Sequence, residues 1–378
     1  MNKKIIIGII ATILVIATAA VVALYPKQQS TLAATEATTS DKVYVATENG
    51  GSVDVIDTST RAVIKKISIA PENDTSGSMY MAHNVQVAPD GKSVWVTANV
   101  MSGEKHGSDD HGDSGHGAEE STPADQLVVI NPLNDEIVQR IDIGAGMHLA
   151  HVVLTPDSRY ALTVAQETNE VYKVDTTSYS IVGKAQATTG AGPHGLRISP
   201  DGNTAYVAMM SGKSIGQLDI QSLSFDYIPL NGQAVQTAVT PDGRYVAASV
   251  FDSKSVAIYD TQDKSVQYAV LPEDAKGPLQ VYPTPDSRYV YVADQGYEFG
   301  QPDGNKLHKI DLQNRSVVQT VEVGTAPHGV VVSPDGKFSF VTNMVSNDVS
   351  IVDNESGKEL AKVPTGEKPN GISYWTRN

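Results

Sequence analysis

A short turn motif recurs along most of this chain and constrains its fold more than any other feature. Pro-Asp-Gly or Pro-Asp-Ser returns at intervals of 67, 44, 41, 44 and 49 residues. The prolines of these motifs are Pro89, Pro156, Pro200, Pro241, Pro285 and Pro334. A period of roughly 40–50 residues is typical of a ring or array of small, similar sheets. A further match at Pro302 breaks the rhythm and is assigned to a loop of the sixth unit.

Each unit contains four short β-rich runs separated by turns. In PHGVVVSPDGKFSFVTNMVSNDVSIVDNESGKELAKV (327–363), the four runs are HGVVVS, FSFVTN, DVSIVD and ELAKV, here called strands a to d. Proline restricts φ and glycine accepts positive φ, so the Pro-Asp-Gly step predicts a tight turn between strands a and b. Four antiparallel strands per unit, repeated around a ring, predict an all-β protein of the β-propeller type.

The two ends of the repeat region complete one blade together. The first unit, KVYVATENGGSVDVIDTSTRAVIKKISI, has strands b to d but lacks strand a, and the chain ends in PNGISYW, which has the pattern of a strand a. If the last strand joins the first blade, no edge of the ring is left open. The sequence therefore predicts a seven-bladed propeller over residues 41–378, closed by its C-terminal strand.

The N-terminal segment predicts export. Lys3 and Lys4 precede twenty uncharged residues, Ile5 to Leu24, which is about the length that spans a bilayer as a helix. We predict a signal anchor or signal peptide over 1–26, with the uncleaved anchor favoured, and a flexible stalk over 27–40. The positive-inside rule then places the propeller outside the cytoplasm, in the periplasm or at the cell surface, with the membrane and an envelope protein as expected partners.

Charge and cysteine content exclude several classes of partner and binding site. The net charge of −15 argues against nucleic acid as a partner and favours a self-repelling, monomeric protein. The absence of cysteine excludes disulfides, thiolate metal sites and thioether-linked haem. No GxSxG, phosphate-binding loop or HExxH pattern is present, so no catalytic residue is predicted.

The repeats resemble a known family. FVTN (340–343), YVAT (44–47) and the Pro-Asp-Gly turns are similar to the YVTN family of seven-bladed propellers, which includes surface-layer-like and YncE-like exported proteins. More distantly the pattern resembles the propellers of nitrous oxide reductase and dihaem nitrite reductase. The resemblance implies the fold, and it leaves the function open because this fold carries many functions.

Most histidines are predicted to lie on one face of the ring. Antiparallel strand order puts the b-to-c loops and the d-to-a connections at the same end, here called the top face. Eight of the nine histidines map there, as do the seven methionines after the initiator. Imidazole together with thioether favours copper, whereas zinc gains little from methionine. The predicted metal ligands are His83, His148, His151, His194, His328, His106, His111, His116, Met81 and Met147.

Three of these ligands come from an insertion in the second blade. HGSDDHGDSGHG (106–117) lies within residues 101–125, which we predict to be a disordered loop rich in histidine, aspartate and glycine. Such a chain can wrap around a cation, but its ordering costs entropy and weakens binding. We therefore expect the loop to gather or deliver metal to the fixed histidines.

Strand phase argues against a simple ring of histidines. His83, His194 and His328 stand six residues before their turn prolines, whereas His151 stands five before its own. Because side chains alternate along a strand, both sets reach one centre only if the strand start bends.

Three functions remain open. The first is an exported binding or scaffold protein whose top face holds copper or another transition metal. The second is a metal-free, surface-layer-like interaction module. The third is an oxidoreductase-type or haem-handling propeller, for which the sequence specifies no haem pocket.

Overall fold

The computed structural model describes residues 40–72, 74, 77–101 and 123–377. Within these ranges the chain forms 28 β-strands and one short 3₁₀ helix, Tyr297–Phe299. No helix in the described ranges has the length and apolar character needed to cross a bilayer. The predicted N-terminal helix and nearly all of the stalk lie outside the described residues.

The strands form seven sheets of four, which confirms the predicted propeller. Blade one contains β1 (Lys42–Thr47), β2 (Ser52–Asp57), β3 (Ala62–Ser68) and the C-terminal β28 (Pro369–Trp375). Blade two contains β4 (Met79–Val87), β5 (Val94–Met101), β6 (Asp125–Asn131) and β7 (Glu136–Gly144). Blade three contains β8 (Leu149–Leu154), β9 (Tyr160–Ala165), β10 (Glu170–Asp175) and β11 (Ser180–Gln186).

The remaining four blades repeat this order. Blade four contains β12 (Pro193–Ile198), β13 (Thr204–Met209), β14 (Ser214–Asp219) and β15 (Phe225–Pro229). Blade five contains β16 (Ala234–Val239), β17 (Tyr245–Val250), β18 (Ser255–Asp260) and β19 (Val266–Val270). Blade six contains β20 (Pro278–Pro283), β21 (Tyr289–Asp294), β22 (Lys306–Asp311) and β23 (Ser316–Glu322). Blade seven contains β24 (Pro327–Val332), β25 (Phe338–Asn343), β26 (Asp348–Asp353) and β27 (Lys358–Pro364).

The C-terminal strand closes the ring as the sequence predicts. β28 pairs antiparallel with β1, with Lys42 opposite Trp375 and Tyr44 opposite Ser373. It takes the innermost place in blade one, beside the inner strands of blades two and seven. The first blade is therefore built from both ends of the described chain, and the ring has no unpaired joint.

Hydrophobic side chains hold neighbouring blades together. Seven buried clusters of mainly valine, isoleucine, leucine and alanine each lie between two adjacent blades. Both faces of the middle strands are covered, so β2 and β18 are buried at every residue. This explains why the strands are rich in apolar residues without strict alternation.

The aspartates of the repeated turns have structural roles. In the turn after β8, Asp157 accepts a hydrogen bond from Thr155 Oγ1 at 2.5 Å and from the Arg159 backbone nitrogen at 3.0 Å. Asp201 accepts the equivalent bond from the Asn203 nitrogen. Asp175, at the end of β10, accepts from two backbone nitrogens of the next turn. These carboxylates hold turns, as expected for this residue at such positions.

Candidate metal site in the central channel

Every inner strand is irregular at its start. The β4–β5 register shifts between Ala82 and Asn84, and the β8–β9 register shifts between Leu149 and Val152. The inner strands of the other five blades have the same irregularity at the corresponding place. A bulge of this kind breaks the alternation of side chains. It supplies the bend that the sequence required, so histidines of both phases reach one centre.

Four imidazoles meet at this level of the central channel, and we call them the channel cluster. The ring of His83 lies 5.5 Å from that of His148, 6.1 Å from that of His151 and 6.2 Å from that of His194, centroid to centroid. The rings of His151 and His194 are 5.2 Å apart. One nitrogen from each of His83, His151 and His194 lies within 4.8 Å of the other two. Blades two, three and four thus supply the core of the cluster.

Two of these rings have an oxygen partner at Nδ1, which leaves Nε2 as the nitrogen open to a ligand. The Nδ1 of His194 donates to the Val235 carbonyl oxygen at 2.9 Å, and the Nδ1 of His83 lies 3.1 Å from Glu48 Oε1. The Nε2 of His83 is buried and has no hydrogen-bond partner among the described residues. Carboxylate and carbonyl partners of this kind typically orient metal-binding imidazoles.

The third ring is held by amides. The Gln236 amide nitrogen lies 3.2 Å from Nε2 of His151 and also donates to Gln280 Oε1 at 3.2 Å. A metal ion would take the His151 lone pair from Gln236 at the loss of one hydrogen bond, worth about 1 kcal/mol. Structural zinc sites in small peptides bind with roughly 10–16 kcal/mol, so this loss is small.

Burial favours the neutral form of two imidazoles of the cluster, whereas Glu48 favours the charged form of His83. Burial and the nearby charge of His83 lower the pKa of His194 to about 4, and burial lowers the pKa of His151 well below its usual value. Burial also opposes the charged form of His83, but the hydrogen bond and charge of Glu48 raise its pKa above the usual value. The neutral rings of His151 and His194 can therefore act as ligands at neutral pH, whereas a protonated His83 would have to release a proton before it could bind a metal.

A second pair extends the site toward blades six and seven. His328 Nε2 lies 3.4 Å from Glu298 Oε2. Burial opposes ionisation of Glu298, but His328 lowers its pKa to about 2, and His83 and His194 contribute to the same effect. The channel therefore has two carboxylates, Glu48 and Glu298, within electrostatic reach of the histidines, and their charge favours a bound cation.

Asparagine and aspartate side chains fix the backbone around the cluster. Asn99 accepts from the Leu149 nitrogen at 2.7 Å and Asn84 from the Val152 nitrogen at 3.1 Å, on either side of His151. Asp125 accepts from the nitrogen of His148 at 2.9 Å, where φ is +50°. These side chains lie on blade two and hold the inner strand of blade three, so blade two positions the histidines of blade three.

The remaining predicted ligands are not joined to the cluster by any contact that the structure describes. Met147 Sδ accepts a weak hydrogen bond from Thr168 Oγ1 at 3.8 Å, and its side chain packs against the core between blades two and three. Met81 lies opposite Asn99 and is half-buried. The loop histidines His106, His111 and His116, together with the predicted disorder of the insertion, lie outside the described residues.

Sequence reasoning missed the roles of Glu48 and Glu298. Both lie in b-to-c loops, but on separate blades, and no spacing in the sequence links either one to a histidine. The structure brings each to a histidine of another blade, because the b-to-c loops lean toward inner strands of their neighbours. One signal was available: the loop after β21 is longer than most others and contains Glu298 within a glycine-flanked turn.

Comparison with known proteins agrees with this architecture. Residues 118–378 match the YNCE-like beta-propeller family. The chain belongs to this family. Antigen Lp49 of Leptospira interrogans is 26% identical over 176 residues, covering 42% of this chain and 38% of that protein. The beta subunit of hydrazine synthase from Kuenenia stuttgartiensis is 25% identical over 217 residues, covering 44% and 54%. The chain thus spans about half the length of these relatives or less.

Solved structures share the fold at low identity. Kuenenia stuttgartiensis hydrazine synthase aligns with a TM-score of 0.62 at 20% identity, over 81% of this chain and 90% of that one. A protein of unknown function from Desulfotomaculum acetoxidans gives 0.69 at 15%, over 90% and 100%. Virginiamycin B lyase from Staphylococcus aureus gives 0.59 at 14%, over 80% and 93%. Identities this low establish the fold alone.

Proposed function

We propose that this family member is an exported binding protein that holds one transition-metal ion, with copper favoured, between His83, His151 and His194. The observation that carries the proposal is the convergence of three imidazole nitrogens within 4.8 Å. Oxygen partners at Nδ1 of His83 and His194 leave Nε2 of each ring as the candidate ligand atom. Among divalent ions, copper has the highest affinity for such nitrogen ligands.

The fit to a metal requires a small adjustment. Metal–nitrogen distances of about 2.0–2.1 Å place tetrahedral ligands roughly 3.3 Å apart. Since the three nitrogens lie within 4.8 Å of one another, each pair has to close by at most about 1.5 Å when an ion binds. Glu48 and Glu298 lie close enough to offset the ion's charge. His148 and His328 stand nearby as outer groups or as a fourth ligand.

Export is part of the same proposal and rests on the N-terminal sequence. Lys3 and Lys4 precede the uncharged run Ile5 to Leu24, which fits a segment that anchors or exports the propeller. The histidine-rich insertion of blade two is proposed to collect the ion at the same face. The loop and the channel would then act in sequence, with weak capture followed by tighter binding.

The deciding experiment separates the channel from the loop. In the full-length protein, His106, His111 and His116 are replaced by glutamine, and copper(II) binding is followed by calorimetry and electron paramagnetic resonance. We expect one bound ion with nitrogen hyperfine structure. Adding His151→Gln is expected to weaken binding by more than about 100-fold, because even the loss of a residue that only orients a metal ligand costs about 10–100-fold.

A matched control uses the histidine of blade six. His308 is buried in β22, where its Nδ1 contacts Thr320 Oγ1 at 2.9 Å, away from the channel cluster. His308→Gln in the same background should leave copper binding unchanged. Equal copper affinity of the His151→Gln variant and its parent would reject the channel as the metal site and favour the metal-free interaction module.

A further inference from the structure

The lower end of the central channel contains a cation without a carboxylate partner. Arg197 follows His194 by three residues on β12 and is partly buried. Its Nη1 donates to the Leu196 carbonyl oxygen at 2.8 Å. By contrast, Arg244 and Arg288 on the outer surface each pair with an aspartate. No ion pair among the described residues involves Arg197, so its charge is only partly compensated.

Arg197 lines a cavity of about 300 Å³ formed by the inner strands of blades two to six. None of the described residues that line it is acidic. Its walls are partly apolar, with Val153 and Val239 among them, and the Gln86 amide and Tyr282 also line it. The volume is at the lower limit of small-molecule sites, which are typically about 300–1,000 Å³.

The chemistry of this cavity fits an anion. Even partial burial of a guanidinium without a counter-ion is costly, and desolvation lowers the pKa of Arg197. Burial raises the pKa of Tyr282, so its hydroxyl stays protonated and able to donate. Gln86 Nε2 donates one hydrogen to the Val87 carbonyl and has a second to offer.

We propose that this lower cavity binds a small organic carboxylate, with its carboxylate group on Arg197 and its apolar part against Val153 and Val239. A planar guanidinium matches a carboxylate in geometry and charge. One arginine balances one negative charge, whereas phosphate at neutral pH carries more than one in a protein of net charge −15. The proposal is independent of the metal site at the other end of the channel.

The test uses full-length protein treated with a chelator, so that metal does not contribute. Binding of butyrate, benzoate and inorganic phosphate is measured by ligand-observed NMR and calorimetry. We expect butyrate or benzoate to bind more tightly than phosphate. Arg197→Gln is expected to lose about ten- to a hundred-fold in affinity, as for loss of a charged hydrogen bond. Arg244→Gln is the matched surface control and should bind as the parent does.

Stability gives a second readout. Because the unpaired guanidinium is held at a cost, Arg197→Gln without ligand should melt at the same temperature as the parent or higher, and carboxylate should raise only the parent's melting temperature. If Arg197→Gln fails to fold, Tyr282→Phe is measured instead and should weaken binding by several-fold. Equal binding by parent and variants, or no binding of either carboxylate by the parent, would overturn the proposal. Tighter binding of phosphate than of both carboxylates would overturn the assignment to a carboxylate.

Discussion

Blades two to four and blades five and six have the same bulge at the start of the inner strand, but the side chains at the bulge differ. In the first group the bulge holds His83, His151 and His194. In the second group it holds Gln236 and Gln280. The glutamines bond to each other at 3.2 Å, and the Gln236 oxygen accepts from the Thr237 nitrogen at 2.9 Å. At the bulges that hold histidine, by contrast, Nε2 of His83 is buried and has no hydrogen-bond partner in the described part of the chain.

The bulge recurs in every blade and is therefore a feature of the fold, whereas the residue at the bulge differs between blades and determines the chemistry of the channel. A satisfied amide network is stable without a ligand, whereas an unpartnered buried nitrogen is costly unless something binds it. Asn370 occupies the bulge of the closing strand, with its amide nitrogen 3.3 Å from Nδ1 of His83. The natural amides of blades one, five and six are therefore suitable replacements for testing the histidines.

The largest loss of copper affinity is expected when an amide replaces one of the three converging histidines. His194→Asn copies blade one and removes one of the three converging nitrogens, so copper(II) affinity should fall by more than about 100-fold. Calorimetry in the background lacking the loop histidines measures this. His308→Gln should again match the parent, and an unchanged affinity for His194→Asn would break the comparison.

The next effect comes from the partner of His83. Glu48→Gln keeps the shape but removes the charge that orients the ring, so copper affinity should fall by about 10–100-fold. The unfolding midpoint is measured in parallel to separate binding from stability. Glu167→Gln, in the corresponding loop of blade three, serves as the control and should have a smaller effect. If Glu167→Gln lowered copper affinity more than Glu48→Gln does, Glu48 would not be the carboxylate that orients the metal-binding histidine.

A smaller effect is expected from closing space beside Gln236. A Cβ on Gly195 would lie 1.9 Å from Gln236 Oε1 and 2.8 Å from its Cα. Gly195→Ala should destabilise the fold by about 1–3 kcal/mol, the usual cost of overpacking, measured by urea unfolding. Gln236→Ala removes the clashing oxygen and should recover part of the loss in the double variant. An additive double variant would contradict the described packing.

The smallest change in copper affinity is expected when a histidine is introduced at the bulge of blade five. Gln236→His places a further imidazole beside His151, where the absence of a side chain on Gly195 leaves room. Copper affinity should rise by a few-fold, because the loss of the Gln236–Gln280 bond offsets part of the gain. Copper titration of the variant and the parent shows whether the affinity rises or falls. A lower affinity for the variant would show that the Gln236–Gln280 network supports metal binding.

The sequence by itself determined the number of blades, the strand order and the closure. Turn residues at a regular period and a missing first strand are local patterns, and each one reads directly as a strand or a turn. Antiparallel order then requires the histidines of the strand starts to share one face. The turn aspartates also follow a local pattern, since the backbone hydrogen bonds that they accept form within a few residues.

Only the tertiary structure decided which residues meet. The alternation rule separated His151 from His83, but it assumes a regular strand, and the bulge that reunites them depends on pairing with the next strand. Glu48 reaches His83 across 35 positions. The sequence also did not indicate whether Arg197 faces a carboxylate, because its surroundings are formed by five blades that meet at the channel. Among the described residues that line this cavity, none is acidic. Contacts of this kind arise from the closure of the ring, which no local pattern records.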